Sequence, residues 1–476
     1  MSSILVSIVS AAVLSRYLSK ADLGTYKQVL YLYTSLLVVF SAGLPRVYNY
    51  FLPKHNRNEG LSIVKKVTSM LFVTGVMFSL FLYIFSDLLA DLLSNPDLAP
   101  HIRTFSIVPM LLLPTLGIEG VFTSYYMAKY IPLYNVTSRV LIFILIVSPI
   151  IYLGNEVQYA LYGWIGASIL SFLLAIVFFR IPFKGLQMKV SQVKITDLLK
   201  YSLPIMGASI AGVAIGASDQ FFISRYFGTE EFAEFSNGFI QLPIIGMVAG
   251  SAASILMPRV SEMKKKNIEN REILNLWSKT LIKSALILFP ILIVCLFNAE
   301  NIIVLVYGEL YIQSAPYFMI KLIQGFLSII IFTPFLLGLG YSKYYMNVHI
   351  IGAVTIWLIQ YFIAVNFQNP HLIAVSSVSV FFMIVILGLS KVRKIFRTSL
   401  IEILPFKSMI KVLIHNFIIG LLLFIIFTNI QKAVHDIFLV AAFALMHLIL
   451  VHFSSRLINL DYLEPYKPIL SKFINR

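Results

Sequence analysis

A small set of charged residues stands inside or at the edges of long apolar runs. Glu119, Arg139, Asp219 and Lys321 lie well inside; Arg16, Lys27, Arg46 and Arg225 lie near the ends. An ionisable group in such surroundings is costly to keep, so each is a candidate for function. These groups can pair with one another, bind an ion or ionic ligand of opposite sign, or carry a proton. Arginine suits the second task, because its planar fork binds oxyanion oxygens in pairs and stays protonated in an apolar setting. Glu119 lies roughly eleven residues before the turn at Lys129–Tyr130 and Arg139 about nine after it, which on antiparallel helices sets both roughly 15 Å deep. They read either as a structural ion pair or as a cation held in position by its acid. Asp219 and Lys321 share a similar depth, each about 8–10 Å below one surface. Arg16, Lys27 and Arg225 are near enough to that surface to snorkel. Arg46 follows Pro45 and fits equally an anchor at the opposite surface.

The elements that must position these charges follow from composition. The 476 residues are 59% hydrophobic and 12% charged, with a mean hydropathy of +0.88. Soluble domains carry roughly a quarter of their residues as Asp, Glu, Lys and Arg. Half that level cannot cover a water-soluble surface, which implies an all-α polytopic membrane protein. A spanning helix needs about 20 apolar residues, and the chain offers about fourteen such runs. They lie near 2–18, 24–44, 66–86, 103–126, 131–153, 159–180, 201–223, 236–257, 277–298, 315–338, 346–366, 371–390, 409–429 and 434–453. Residues 1–18 cover about 26 Å as a helix, slightly short of a bilayer core. Without a basic n-region or cleavage site they read as a spanning helix rather than a signal peptide.

With this count, basic clusters alternate with acidic turns. Lys184, Lys189, Lys194 and Lys200 fall on one side, as do Arg259, Lys264, Lys265, Lys266 and Arg271, and Lys391, Arg393, Lys394 and Arg397. Asp87, Asp91, Asp97, Glu230, Glu231, Glu234, Glu300 and Glu309 fall on the other. The positive-inside rule then puts both termini in the cytoplasm, and the net charge of +16 needs no nucleic acid to explain it. The single cysteine, Cys295, sits in ALILFPILIVCLF, which leaves no disulfide framework and no Cys-based metal site. The histidines are scattered; His447 and His452 share a span without metal-ligand spacing.

SRYLSKADLGTY (Ser15 to Tyr26) has a counterpart in SRYFGTEEFAEF (Ser224 to Phe235). Both copies share Ser-Arg-Tyr, a bulky apolar residue, three spacers, an acid, then apolar, small, any, aromatic. They end the first and seventh spans, so both face the same way. That is the signature of a parallel repeat. The expected organisation is a six-helix bundle over 1–182, a linker over 183–200 and a pseudo-symmetric six-helix bundle over 201–390. A second linker over 391–408, two extra helices over 409–453 and a cytoplasmic tail over 454–476 complete it. Each copy reads as an outer hairpin turn, with Gly24 and Ala233 small where two helices crowd. Pro109, Pro114, Pro149, Pro204, Pro243, Pro290 and Pro334 interrupt spans and are expected to kink them. Small residues in GASIAGVAIGAS (Gly207 to Ser218) permit close helix contact.

SRYLSKADLGTY followed by SAGLPRVYNYFLPK (Ser41 to Lys54) resembles the amino-terminal signature of the Wzx-type polysaccharide-biosynthesis flippases of the MOP superfamily, which also holds the MATE antiporters. The likeness continues through YSLPIMGASIAGVAIGASDQFFISRYFG (Tyr201 to Gly228), ILMPRVSEM (Ile255 to Met263), VYGELYIQSAPYFMI (Val306 to Ile320) and FLLGLGYSKYYMNVHIIGAV (Phe335 to Val354). The resemblance implies a MOP/MATE-like fold in a bacterial cytoplasmic membrane. It further implies that an undecaprenyl-pyrophosphate-linked oligosaccharide, an O-antigen, capsule or other surface-polysaccharide repeat unit, is flipped between leaflets by alternating access. Partners implied are that substrate, membrane lipids and polysaccharide polymerase or assembly proteins; no cofactor is implied. An anionic head group calls for cations in the membrane zone. That makes Arg139 with Glu119 the leading substrate candidates, followed by Arg16, Lys27, Arg46, Lys321 and Arg225, with Asp219 or Glu119 available for ion coupling. The alternative of the same fold is a cation-coupled drug or metabolite antiporter, which would favour acidic and aromatic lining. An enzyme is disfavoured: the outside loops are short, and the chain shows neither a nucleophile–base arrangement nor a phosphate-cradling glycine loop.

Overall fold

The computed structural model describes residues 2–428 and 436–467, all of them helix, turn or loop, with no strand among them. Among the described residues, 12 helices are long and apolar enough to cross a membrane. The two remaining sequence-expected spans occur as shorter pieces. The first is Ser2–Tyr17, of 16 residues. The tenth is broken into Ala315–Leu327 and Thr333–Gly338, the second piece opening on Pro334, whose ring is tolerated at a helix start but not in its interior. Broad apolar faces stay exposed. On Phe406–Thr428, Ile410, Ile414, Phe417, Ile418, Leu421, Leu422 and Ile425 are uncovered, while Val412, Asn416, Ile419 and Leu423 on the other side are buried. A helix apolar all round belongs in lipid.

By packing, the chain forms two compact units: Met1–Ser236 with Gln360–Pro370, and Asn237–Ile359 with His371–Arg476. This partition differs from the repeat boundaries, since the seventh span falls in the first unit. The cause is visible along its length. Pairs from Lys20–Ser41 and the segment after it meet residues of the 195–238 helix in descending order: Gly24 with Thr229, Gln28 with Ser224, Tyr31 with Ala217 and Gly43 with Ser202. The two helices are antiparallel neighbours from end to end.

Both copies of the repeated stretch form a helix break. Ser2–Tyr17 gives way to Lys20–Ser41 across Leu18 and Ser19, and the Ser19 hydroxyl accepts the Asp22 backbone N–H at 3.1 Å. Such a cap satisfies one of the orphan amides of a helix start, and Asp22 in the first turn suits its positive end. The counterpart of Ser19 in the second copy is Gly228, with φ 89° and ψ 176°, a backbone only glycine adopts readily, and there the 195–238 helix is interrupted. A difference follows. Lys20–Ser41 runs on unbroken, whereas the chain after Gly228 stops again before Pro243–Lys265. Leu242 is extended, as a residue before proline prefers.

Candidate functional site

The first unit contains a buried polar network where the two copies meet. Gly24 has no side chain at the point where the Thr229 carbonyl arrives; a Cβ there would stand 2.1 Å from that oxygen. The close approach lets the Gln28 amide donate to Ser224 Oγ at 2.7 Å and accept from Asn95 Nδ2 at 2.6 Å. Asn95 also donates to Thr25 Oγ1 at 3.0 Å, and Ser224 Oγ donates to the Leu93 carbonyl at 3.3 Å. Thr25, Gln28, Asn95 and Ser224 are all buried. At the rim the Lys20 ammonium pairs with the Glu234 carboxylate. Arg225 donates from Nη1 to the Asp91 and Leu92 carbonyls at 2.5 and 3.1 Å, closing the C-terminal end of Ser86–Leu92, where the helix dipole favours a cation.

The charges within the apolar runs are distributed differently from the paired picture. Arg139 sits half-buried on Tyr130–Tyr152, within electrostatic reach of Tyr33 and Tyr134. Tyr33 is itself buried, stacked on Phe78 with ring centroids 5.8 Å apart. Among the described residues no ion pair joins Arg139 to Glu119. Glu119 is exposed and accepts from Asn135 Nδ2 at 2.8 Å. Asn135 lies one turn before Arg139 on the same helix face and meets the carboxylate first. Asp219 is buried at 6% exposure and accepts from the Gln360 amide at 2.5 Å. Arg16 and Arg46 are exposed, and Lys27 is half-buried beside Gln28. In the second unit Lys321 donates to Gln324 Oε1 at 2.8 Å on its own helix and stands 4.2 Å from the Phe239 ring centroid.

Residues that a search for charges passes over complete these arrangements. Gln28, Asn95, Ser224 and Gln360 are neutral, and Tyr31 and Tyr33 sit in a stretch, YLY, that suits a membrane interface as well as a binding surface. Both tyrosines are buried, and the Tyr31 hydroxyl donates to the Ala217 carbonyl at 3.1 Å. A usable signal existed for Gln360, a lone amide in the run IGAVTIWLIQYFIAV. An amide in hydrocarbon needs a partner, and the buried Asp219 is one.

Known proteins share this architecture. The chain superposes on the lipid II flippase MurJ in its inward closed conformation with a TM-score of 0.74 at 12% identity, covering 96% of this chain and 98% of that one. It is similar to an inward-facing multidrug resistance MATE transporter of the MOP superfamily, with a TM-score of 0.68 at 14% identity over 83% of this chain and 94% of that one. A MOP superfamily transporter from Pyrococcus furiosus, described as having a binding pocket of reversed polarity, gives 0.54 at 12% identity over 84% and 93%. No curated protein matches in sequence. The fold is therefore that of the MOP superfamily transporters. Residues 1–264, more than half the chain, match the polysaccharide biosynthesis protein family, and the chain belongs to that family.

Proposed function

We propose that the protein flips an undecaprenyl-pyrophosphate-linked oligosaccharide, the repeat unit of an O-antigen, capsule or other surface polysaccharide, from the inner to the outer leaflet of the cytoplasmic membrane. The observation that carries this reading is family membership combined with the reach of the fold likeness. The flippase match extends over 96% of the chain, where the MATE match stops at 83%. Two six-helix bundles and two further helices, fourteen spans with both termini cytoplasmic, would rock around a cavity that takes the polar head while the isoprenoid stays in lipid. Arg139 is the cation assigned to the pyrophosphate: it is half-buried and not tied up by Glu119. Arg16, Lys27, Arg46 and Lys321 are assigned supporting roles, and Arg225, which holds backbone carbonyls, is assigned the least direct one. The protein works without catalysis or cofactor, upstream of a polysaccharide polymerase.

A second reading, cation-coupled antiport, has one observation in its favour, the buried Asp219 carboxylate held by Gln360. Reconstitution into liposomes separates the two. A lipid-linked oligosaccharide loaded in one leaflet should appear in the other only with the protein present. Failure of that assay, with cation-dependent efflux of a small organic cation instead, would favour the antiporter.

A further inference from the structure

The structure assigns a second lipid site, outside the transport machinery just described: a groove between the start of Arg57–Ile84 and the end of Val157–Arg180 that takes an anionic glycerophospholipid. The groove is open along one side and has a volume of about 780 Å³, within the roughly 300–1,000 Å³ of ligand sites. Its apolar wall includes Leu61, Ile176 and Val177, and its polar end holds Lys65, Arg180 and Lys184. All three cations are exposed, and no acidic residue lines the groove. Among the described residues none of the three side chains makes an ion pair or a side-chain hydrogen bond. The groove therefore has an uncompensated positive end, and a phosphate is the ligand that end fits.

The apolar wall says what the phosphate is attached to. Leu173, Ile176 and Val177 on one helix and Phe72 and Val73 on the other are exposed, and Phe72 stacks with Phe172 across the pair at 6.5 Å between centroids. This uncovered strip leads away from the cations along the helix surfaces and gives an acyl chain a bed. Charge at one end and a chain-wide apolar strip at the other match a membrane lipid with an acidic head group rather than a free phosphate or a soluble partner. Basic pockets between spanning helices hold such head groups, each Lys or Arg contributing about 1 kcal/mol, or about fivefold in affinity.

Native mass spectrometry of the intact protein, with lipid added to delipidated samples, tests the assignment. Wild type should bind dioleoyl phosphatidylglycerol over dioleoyl phosphatidylcholine, and Lys65→Gln should cut that preference about fivefold. The triple variant Lys65→Gln, Arg180→Gln, Lys184→Gln should cut it about a hundredfold. Should the triple variant fold poorly, Val177→Trp keeps every cation and fills the groove, and it should lower phosphatidylglycerol occupancy alone. Equal binding of the two lipids by wild type would overturn the site, as would an undiminished preference in Lys65→Gln and Val177→Trp. So would a wild-type preference for inorganic phosphate or undecaprenyl phosphate over phosphatidylglycerol, the latter result giving the groove to the transported lipid.

Discussion

Arg139 shows how a single side chain can be separated from its neighbours. Had it been locked to Glu119, removing either partner would strand a buried charge, and both variants would lose protein abundance. The carboxylate is instead exposed and bonded to Asn135, so the two residues should behave differently. Arg139→Ala is expected to lower flipping at least tenfold with membrane abundance retained, and Arg139→Lys to recover only part of it, because an ammonium cannot hold two oxygens in one plane. Glu119→Gln keeps an acceptor for Asn135 and should leave flipping within about twofold of wild type, on the scale of a neutral exposed substitution. Quantitative blotting beside the liposome assay checks all three; full activity in Arg139→Ala would remove the residue from the substrate path. Arg139 stood out in the sequence because a charge in an apolar run is conspicuous. Its setting beside Tyr33 did not, since facing across a bundle leaves no periodic trace in the chain. Neutral Gln28 and Asn95 were passed over for a related reason: an amide draws attention only when its partner is also in view.

The antiparallel pair of helices, 20–41 and the 195–238 segment, is held by Gly24, the amide network and the Lys20–Glu234 pair. Interhelical hydrogen bonds in membranes are worth about 0.6 kcal/mol on average, so the network fixes which surfaces meet more than it stabilises the fold. Gln28→Ala is thus expected to cost only about 1 kcal/mol in unfolding from micelles. Gly24→Val should do more, because its Cβ falls where the Thr229 oxygen sits and the helices must part. If the seventh span moves with the second repeat during transport, this contact opens in each cycle. Lys20→Cys with Glu234→Cys in a Cys295→Ser background, bridged by a short reversible cross-linker, should stop flipping, and cleaving the linker should restore it. Unchanged flipping with the bridge intact would show that the contact is static. Gly24→Val should reduce bridging yield in the same background. The repeat pointed to this place: its two copies each break a helix, at Ser19 and at Gly228, and the small residue predicted at a crowded point is the one the carbonyl meets. What the pattern did not reveal is that the copies touch each other, because a repeat reports equivalence and is silent on contact.

Hydropathy over the whole chain located the spans: among the described residues twelve of the runs are helices long and apolar enough to cross a membrane, and the first and tenth are shorter pieces. Where the spans were interrupted, the cause is local: Pro334 opens the second piece of a split helix and Pro243 restarts another. A window of about 20 residues averages over such breaks. The direction of insertion rests on a different physical quantity, the placement of Lys and Arg relative to the membrane potential and the translocation machinery, which the fold does not report. Asp87 and Asp91 lie on Ser86–Leu92 and Asp97 follows it, while Lys264 and Lys265 end Pro243–Lys265 and Lys266 comes directly after. Moving a cluster of three lysines across a charged bilayer opposes the bias that sets topology, whereas three aspartates contribute little to it. Alkaline phosphatase fused after Asp91 should therefore be active outside the cytoplasm, and green fluorescent protein fused after Lys266 should fluoresce inside it. Both signals reversed would invert the molecule and turn the flip from outer to inner leaflet. One signal reversed would mean that a span between residues 91 and 266 fails to cross, which would break the parallel orientation on which the repeat depends. Replacing Lys264, Lys265 and Lys266 together with Gln should weaken the second signal without changing the first, because the bias is summed over neighbouring basic loops and the linker carrying Lys184, Lys189, Lys194 and Lys200 remains.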